Sequence, residues 1–280
     1  MQENLVLPLP VERIKYGLAK CRSFFTTYKR PVETVGTVIF IALAWEFGVS
    51  LEFLDRMFVS PPSAVFALAV EMFFRTGEIY PHLLISAQEG AIGFAIAIAL
   101  GVPIGMAMGR LRHVRNILTP SVMALYSTPL MALIPLIMIW LGLGLWAKVV
   151  IVVMGAVFPV LINTKAGVEA ADPLALDVAR SFTATEGQVW RKIILPFSIP
   201  YILAGLRLAA GMALMSIFVA ELFGATRGLG FMIVRAGRGA NMKEVFLGVA
   251  IFAAAGILST LVFRAMEKRV APWLFVRPVE

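Results

Sequence analysis

Charged residues occupy only 15% of the 280 positions. A soluble domain carries about a quarter, so a core of this length would have no polar shell to keep it in water. Cysteine occurs once, as Cys21, which excludes an internal disulfide. The only histidines, His82 and His113, stand far apart, so no metal-ligand spacing exists and both are read as surface residues. No Gly-x-x-x-x-Gly-Lys-Ser/Thr run is present to cradle nucleotide phosphates. A Ser–His–Asp arrangement is equally unsupported. These absences set aside a soluble enzyme, a zinc protein and an ATPase, and no metal or cofactor is expected on this chain.

What fills the space is apolar. Hydrophobic residues make up 60% of the sequence, with a mean hydropathy of +0.87. A bilayer-spanning helix needs about 20 apolar residues, and such stretches run over 33–51, 88–108, 119–141, 146–162, 201–223 and 244–263. The expectation is an all-α integral membrane protein with six transmembrane helices. The fourth stretch is short and would rely on Trp146 and Lys148 at the membrane interface. With the N-terminus in the cytoplasm, 18 of the 25 Lys and Arg residues fall inside. The other seven, Arg56, Arg75, Lys148, Arg227, Arg235, Arg238 and Lys243, fall outside. That bias is the positive-inside rule and predicts that both termini are cytoplasmic. The net charge of +8 is therefore topological, and no nucleic-acid partner is implied.

Residues 1–32 read as a cytoplasmic leader and 274–280 as a cytoplasmic tail, with the membrane domain over 33–273. Val11, Ile14, Leu18, Cys21 and Phe25 recur at helical spacing among Arg13, Lys15, Lys20 and Arg22. This pattern describes either a basic amphipathic helix lying on the inner leaflet or a solvated leader. The first apolar run follows no small-residue cleavage site, so it is expected to serve as an uncleaved anchor. After Pro61-Pro62, residues 63–75 are too short to span and read as an interfacial helix. Gly101, Gly105 and Gly109, four residues apart, allow close helix approach, within the chain or at a dimer face. Pro120, Pro129 and Pro135 should bend the third span. Beside them Ser127 and Thr128 either bond to carbonyls one turn back or face a pathway. With Ser216 and Glu221 of the fifth span, they are the candidate pathway residues. Glu46, Glu89 and Glu221 lie near outer span ends, and no buried base stands obviously opposite any of them.

The most informative stretch is 163–200, a polar insert between spans four and five. Asp172-Pro173 is a helix start, with an N-cap followed by proline at the first helical position. Leu174, Val178 and Phe182 then line one face, and Asp177 and Arg180 lie on others. Thr185 and Gln188 fit a capping box, and Pro196 and Pro200 are expected to end the second helix. The apolar stripe suits either a partner's groove or the cytoplasmic ends of the spans.

This insert resembles the cytoplasmic loop of ABC-importer permeases, whose pattern is Glu-Ala-Ala, three residues, Gly, nine residues, Ile-x-Leu-Pro. Asp177-Val178-Ala179 stands for the triplet, Thr183 for the glycine, and Ile193, Leu195 and Pro196 match in register. The likeness runs over roughly 33–273 and is nearest the nitrate/sulfonate/taurine type. It is carried by Ser60-Pro61-Pro62-Ser63, Gly101-Val102-Pro103-Ile104-Gly105, Trp140-Leu141-Gly142-Leu143-Gly144, Ala220-Glu221-Leu222 and Gly228-Leu229-Gly230-Phe231. Thr183 in place of glycine, and Glu89 where such permeases usually carry arginine, depart from the pattern.

The resemblance implies a multi-pass protein of the bacterial inner membrane, one of two permease copies. Two ATPase subunits with ATP and Mg would grip the insert, and a periplasmic binding protein would deliver a small solute such as nitrate, bicarbonate, a sulfonate or a carboxylate. It assigns the ATPase contact to Leu174, Asp177, Val178, Ala179, Arg180, Phe182 and Thr183. The alternative is a self-sufficient secondary transporter or channel, which needs ionisable residues within the membrane.

Overall fold

The computed structural model describes residues 33, 36–55, 57–224 and 226–272. The leader, with Cys21 and the amphipathic pattern of 11–25, and the tail 274–280 lie outside the described residues. Every regular element among the described residues is helical. The chain forms two compact units, Met1–Ala64 and Val65–Glu280.

In the first unit, α1 (Gly36–Ser50) is apolar but shorter than the about 20 residues a span needs. The Glu46 carboxylate accepts hydrogen bonds from the Ser63 amide (3.0 Å) and the Ser63 hydroxyl (2.7 Å). Ser63 opens α2 (Pro62–Val70), whose residues from Val65 onward belong to the second unit. The helix expected over 63–75 is α2 continued by a π-helical turn at Glu71–Arg75.

In the second unit, α3 (Ile79–Arg110), α6 (Leu145–Glu169) and α9 (Leu195–Gly224) pack together. Their shared core is built from small and branched residues, among them Ala97, Val152, Ala156, Val160, Ala209, Ala213 and Ile217. The glycine face of α3 lies against α6, so the close approach is within the chain. A Cβ added at Gly105 would stand 2.6 Å from the Leu161 carbonyl oxygen and 2.8 Å from the Thr164 Cβ. Among helices in lipid, where the hydrophobic effect gives no drive to associate, such backbone proximity supplies the packing.

The expected third span is broken. It consists of α4 (Arg112–Ser127) and α5 (Leu130–Leu141), bent by 95°. Pro129 has no amide to donate and forces Thr128 out of helical geometry, to ψ 128°. Pro120 and Pro135 remain inside their helices.

The fourth span is longer than its apolar run. Past Ile162 the helix continues through Asn163, Thr164 and Lys165, with Asn163 donating to the Pro159 carbonyl at 2.8 Å. Lys148, near the start of this helix, is buried within the chain. Pro196 and Pro200 do not end a helix either. From α8 (Glu186–Val189) a π-helical turn, Trp190–Ile194, runs straight into α9. The Leu195 amide donates to the Trp190 carbonyl, shifting the ladder by one residue where Pro196 has no donor to offer.

Two further helices complete the unit, α10 (Leu229–Arg238) and α11 (Met242–Val270). Among the described residues, four helices are long and apolar enough to cross a membrane, or five if α4 and α5 form one span.

Candidate functional site

Two polar constructions stand at opposite ends of the α3–α6–α9 core. The first is the insert. Its helix α7 (Pro173–Ser181) starts as expected, with the Asp172 carboxylate accepting from the Leu174 amide at 2.9 Å. The capping box is complete. The Thr185 amide donates to the Gln188 side chain (2.9 Å), and the Gln188 amide to the Thr185 hydroxyl (3.4 Å).

The end of α7 explains Thr183. Its φ is +55°, a left-handed conformation that β-branched residues rarely adopt. There the Thr183 amide donates to Arg180 O (2.9 Å) and the Ala184 amide to Ala179 O (3.0 Å). This is the glycine-type helix stop, made by a threonine.

Leu174, Val178 and Phe182 are 70%, 48% and 81% exposed, a continuous apolar stripe facing away from the chain. The stripe does not lie on the span ends. That packing falls to Leu176 and Ala179, which meet Val168, Ala171, Val189 and Ile194. Ala179 thus belongs to the inner face, away from the stripe. Asp177 and Arg180 pair with each other at 3.1 Å on the surface.

The second construction is buried. Lys148 of α6 and Glu89 of α3 form an ion pair at 2.6 Å, with side chains 7% and 3% exposed. Glu89 therefore has the buried basic partner that the sequence left unseen. Nearby, Glu221 of α9 accepts from the Ser86 hydroxyl and from the Gly230 amide, each at 2.5 Å. The Leu229 amide donates to the Ser86 oxygen at 2.8 Å. The N-cap of α10 is Gly228, which has no side chain, so its first two amides are capped by residues of α3 and α9. Gly228, at φ +127°, is required there: a Cβ would stand 2.6 Å from a Glu221 carboxylate oxygen. His82 is no free surface residue. Its Nδ1 lies 2.9 Å from the Gly228 carbonyl oxygen and 3.1 Å from the Gly228 nitrogen, so either tautomer finds a partner.

The four candidate pathway residues are not brought together. Ser216 and Glu221 are enclosed by the chain's own packing, Ser216 against Gly155. Ser127 and Thr128 are exposed at the α4–α5 break, where the Thr128 hydroxyl bonds to Ala124 O one turn back at 2.9 Å. Sequence reasoning missed the Glu89–Lys148 pair and α10. Opposite charges in two apolar helices were the available signal for the pair. Leu229, Met232, Ile233 and Ala236 at helical spacing were the signal for α10.

The long apolar helices among the described residues mark a multi-pass membrane protein. The chain belongs to the family described as "Binding-protein-dependent transport system inner membrane component", which matches residues 97–276. It is 32% identical over 244 residues to the taurine transport system permease protein TauC of Escherichia coli (strain K12), covering 86% of this chain and 89% of that one. It is 35% identical over 215 residues to the putative aliphatic sulfonates transport permease protein SsuC of Bacillus subtilis (strain 168), covering 77% and 78%. Among solved structures, an amino acid ABC transporter with histidines shares the fold at TM-score 0.60 and 19% identity, over 71% of this chain and 97% of that one. The MetNI methionine ABC transporter, in an inward-facing conformation, shares it at 0.56 and 20%, over 69% and 94%. The chain is thus an ABC-importer permease of the binding-protein-dependent type, and the self-sufficient transporter or channel is set aside.

Proposed function

We propose that this chain forms the translocation pathway of an ATP-driven importer in the bacterial inner membrane, as one of two permease copies, with six spans and both termini cytoplasmic. Two separate ATPase subunits carry ATP and Mg, since this sequence has no phosphate-cradling loop. A periplasmic binding protein delivers the solute. The substrate class is a small organic anion of the sulfonate or taurine kind, a reading supported by the printed functions of the relatives TauC and SsuC. Ser127 and Thr128, exposed at the α4–α5 break, remain the pathway candidates.

The observation that carries the proposal is the stripe of Leu174, Val178 and Phe182, exposed on a helix whose two ends are both capped. A short helix held at both ends, with its apolar side turned outward, is built to enter a groove. Burying one such side chain is worth about 1.5–3 kcal/mol. Phe182→Ala should therefore weaken capture of the ATPase subunits by about ten- to a hundredfold. Asp177 and Arg180, paired and exposed, should matter less. The test is ATPase activity of the reconstituted complex, with and without binding protein. Normal stimulation in a Leu174→Asp, Phe182→Asp double variant would remove this helix as the coupling element, because two carboxylates are costly in an apolar groove.

A further inference from the structure

Four of the seven basic residues assigned to the outer side crowd into one short stretch: Arg227, Arg235, Arg238 and Lys243. The positive-inside rule works against such a concentration, so the charge has another reason to be there. The fold gathers it. Helix α10 turns Arg235 and Arg238 toward a cavity of about 270 Å³ at the end of α9, walled by Glu221, Phe223, Phe231 and Val234. Arg235 is held by Glu244 at 2.6 Å, and Glu244 in turn accepts from the Asn241 side chain at 3.1 Å. Glu221 borders the cavity but is itself buried, with both oxygens engaged by Ser86 and the Gly230 amide. Arg227, Arg238 and Lys243 make no ion pair among the described residues. The balance of this end is positive, and its concave part is small.

We propose that this cavity is an anion-binding site of the permease itself, taking the sulfonate or carboxylate head of a small organic anion. Arg238 is its principal contact and Arg235 the second. The inference rests on the orientation and substrate class given under the proposed function. A concave space of this volume, with two phenylalanines on its walls, suits a compact solute with a short apolar body better than a protein surface, which would need a broad flat patch. Two guanidinium groups offer the forked donors that an oxyanion accepts. The buried network fixes them: the first two amides of α10 are capped from α3 and α9, so the helix that bears both arginines has one seat.

The test uses the full complex with its ATPase subunits in nanodiscs, without binding protein, and reads equilibrium binding of radiolabelled ethanesulfonate. The wild type should bind it saturably. Arg238→Gln should weaken binding about tenfold, the loss of one charged hydrogen-bonding partner, and Arg238→Lys should retain most of it. Arg112→Gln, at the start of α4, should bind as the wild type does. Arg238 is exposed at the last turn of α10, so its replacement leaves the core intact. Equal binding by Arg238→Gln, or no saturable binding in the wild type, overturns the proposal. So does an Arg238→Gln variant that loses capture of the binding protein while keeping ethanesulfonate, which would make the patch a protein-docking surface. If the wild type imports no sulfonate yet Arg238→Gln loses ethanesulfonate binding, the anion site stands and the proposed substrate class falls.

Discussion

Replacing Lys148 by methionine should be among the most damaging single changes in the membrane domain. Lys148 and Glu89 sit 2.6 Å apart, with side chains 7% and 3% exposed, so neither charge reaches water. Removing one partner of such a pair costs about 3–5 kcal/mol, because the other remains charged and unpaired in a low-dielectric site. Here the penalty is raised by Glu221, a second buried carboxylate of the same cluster. Replacing both partners with apolar residues of similar volume leaves no orphan, and costs little or even stabilises. The measurement is a double-mutant cycle in mild detergent, with thermal unfolding of wild type, Lys148→Met, Glu89→Leu and the double variant. In a chain of this size each kcal/mol moves the midpoint by roughly 2–4 °C, so Lys148→Met should lose about 10 °C and the double variant should recover most of it. A coupling energy of about 3 kcal/mol follows. If Lys148→Met costs under about 1 kcal/mol, or if the two losses simply add, the pair is not the buried interaction inferred from its geometry.

Two smaller predictions concern glycine geometry from opposite directions. Thr183→Gly should release about 1–2 kcal/mol of left-handed strain against an added glycine entropy cost of about 0.5–1 kcal/mol, leaving a net gain of about 0.5–1 kcal/mol. Hydrogen exchange at the Ala184 amide should slow by about two- to fivefold; faster exchange would mean that the Thr183 hydroxyl bond to Phe182 O, at 2.7 Å, outweighs the strain. Gly105→Ala should destabilise by about 1–3 kcal/mol, since its Cβ would meet the Leu161 carbonyl, a backbone atom that cannot rotate away. Gly187→Ala, with nothing within 4 Å, is the matched control, and equal effects in the two would deny that the α3–α6 approach sets the fold.

Local chemistry was legible and long-range pairing was not. Asp172-Pro173 and the Thr185/Gln188 box could be read directly, because a cap is a contract among three or four neighbouring residues. The glycines of α3 were equally readable as a close-approach face, although only the fold names Val160, Thr164 and Val168 as the residues that face them. The helices run past the apolar stretches for a physical reason. Hydropathy falls where lipid ends, but a helix continues as long as its backbone bonds do, which carries α3 from Ile79 to Arg110 and α6 on to Glu169. Prolines were legible in one place and not in another. Pro129 breaks a helix outright, whereas Pro196 is absorbed by a π-helical turn that no propensity announces. Glu89 with Lys148, and Ser86 with Glu221, lie too far apart in sequence for any periodicity to connect them.

In the proposed coupling role the insert transmits force only while its inner face is held, and two kinds of bond compete to hold it. One is the pair Arg110–Glu186 at 2.6 Å, joining the end of α3 to the start of α8, with side chains 24% and 71% exposed. A pair so open to water contributes about 0–1 kcal/mol and is screened by salt. The other is the apolar cluster in which Leu176 and Ala179 meet Val168, Ala171, Val189 and Ile194. Truncating a buried leucine costs about 2–5 kcal/mol, and Leu176, only partly buried, belongs at the low end of that range. The cluster should therefore decide where the outward stripe sits. Leu176→Ala leaves Leu174, Val178 and Phe182 untouched yet should reduce binding-protein-stimulated ATP hydrolysis severalfold, with faster hydrogen exchange across 173–184. Glu186→Gln should change neither reading at physiological salt. If Glu186→Gln uncouples the complex while Leu176→Ala does not, the insert is held by charge, and the stripe is positioned from the α3 terminus instead of from the packed base of α7.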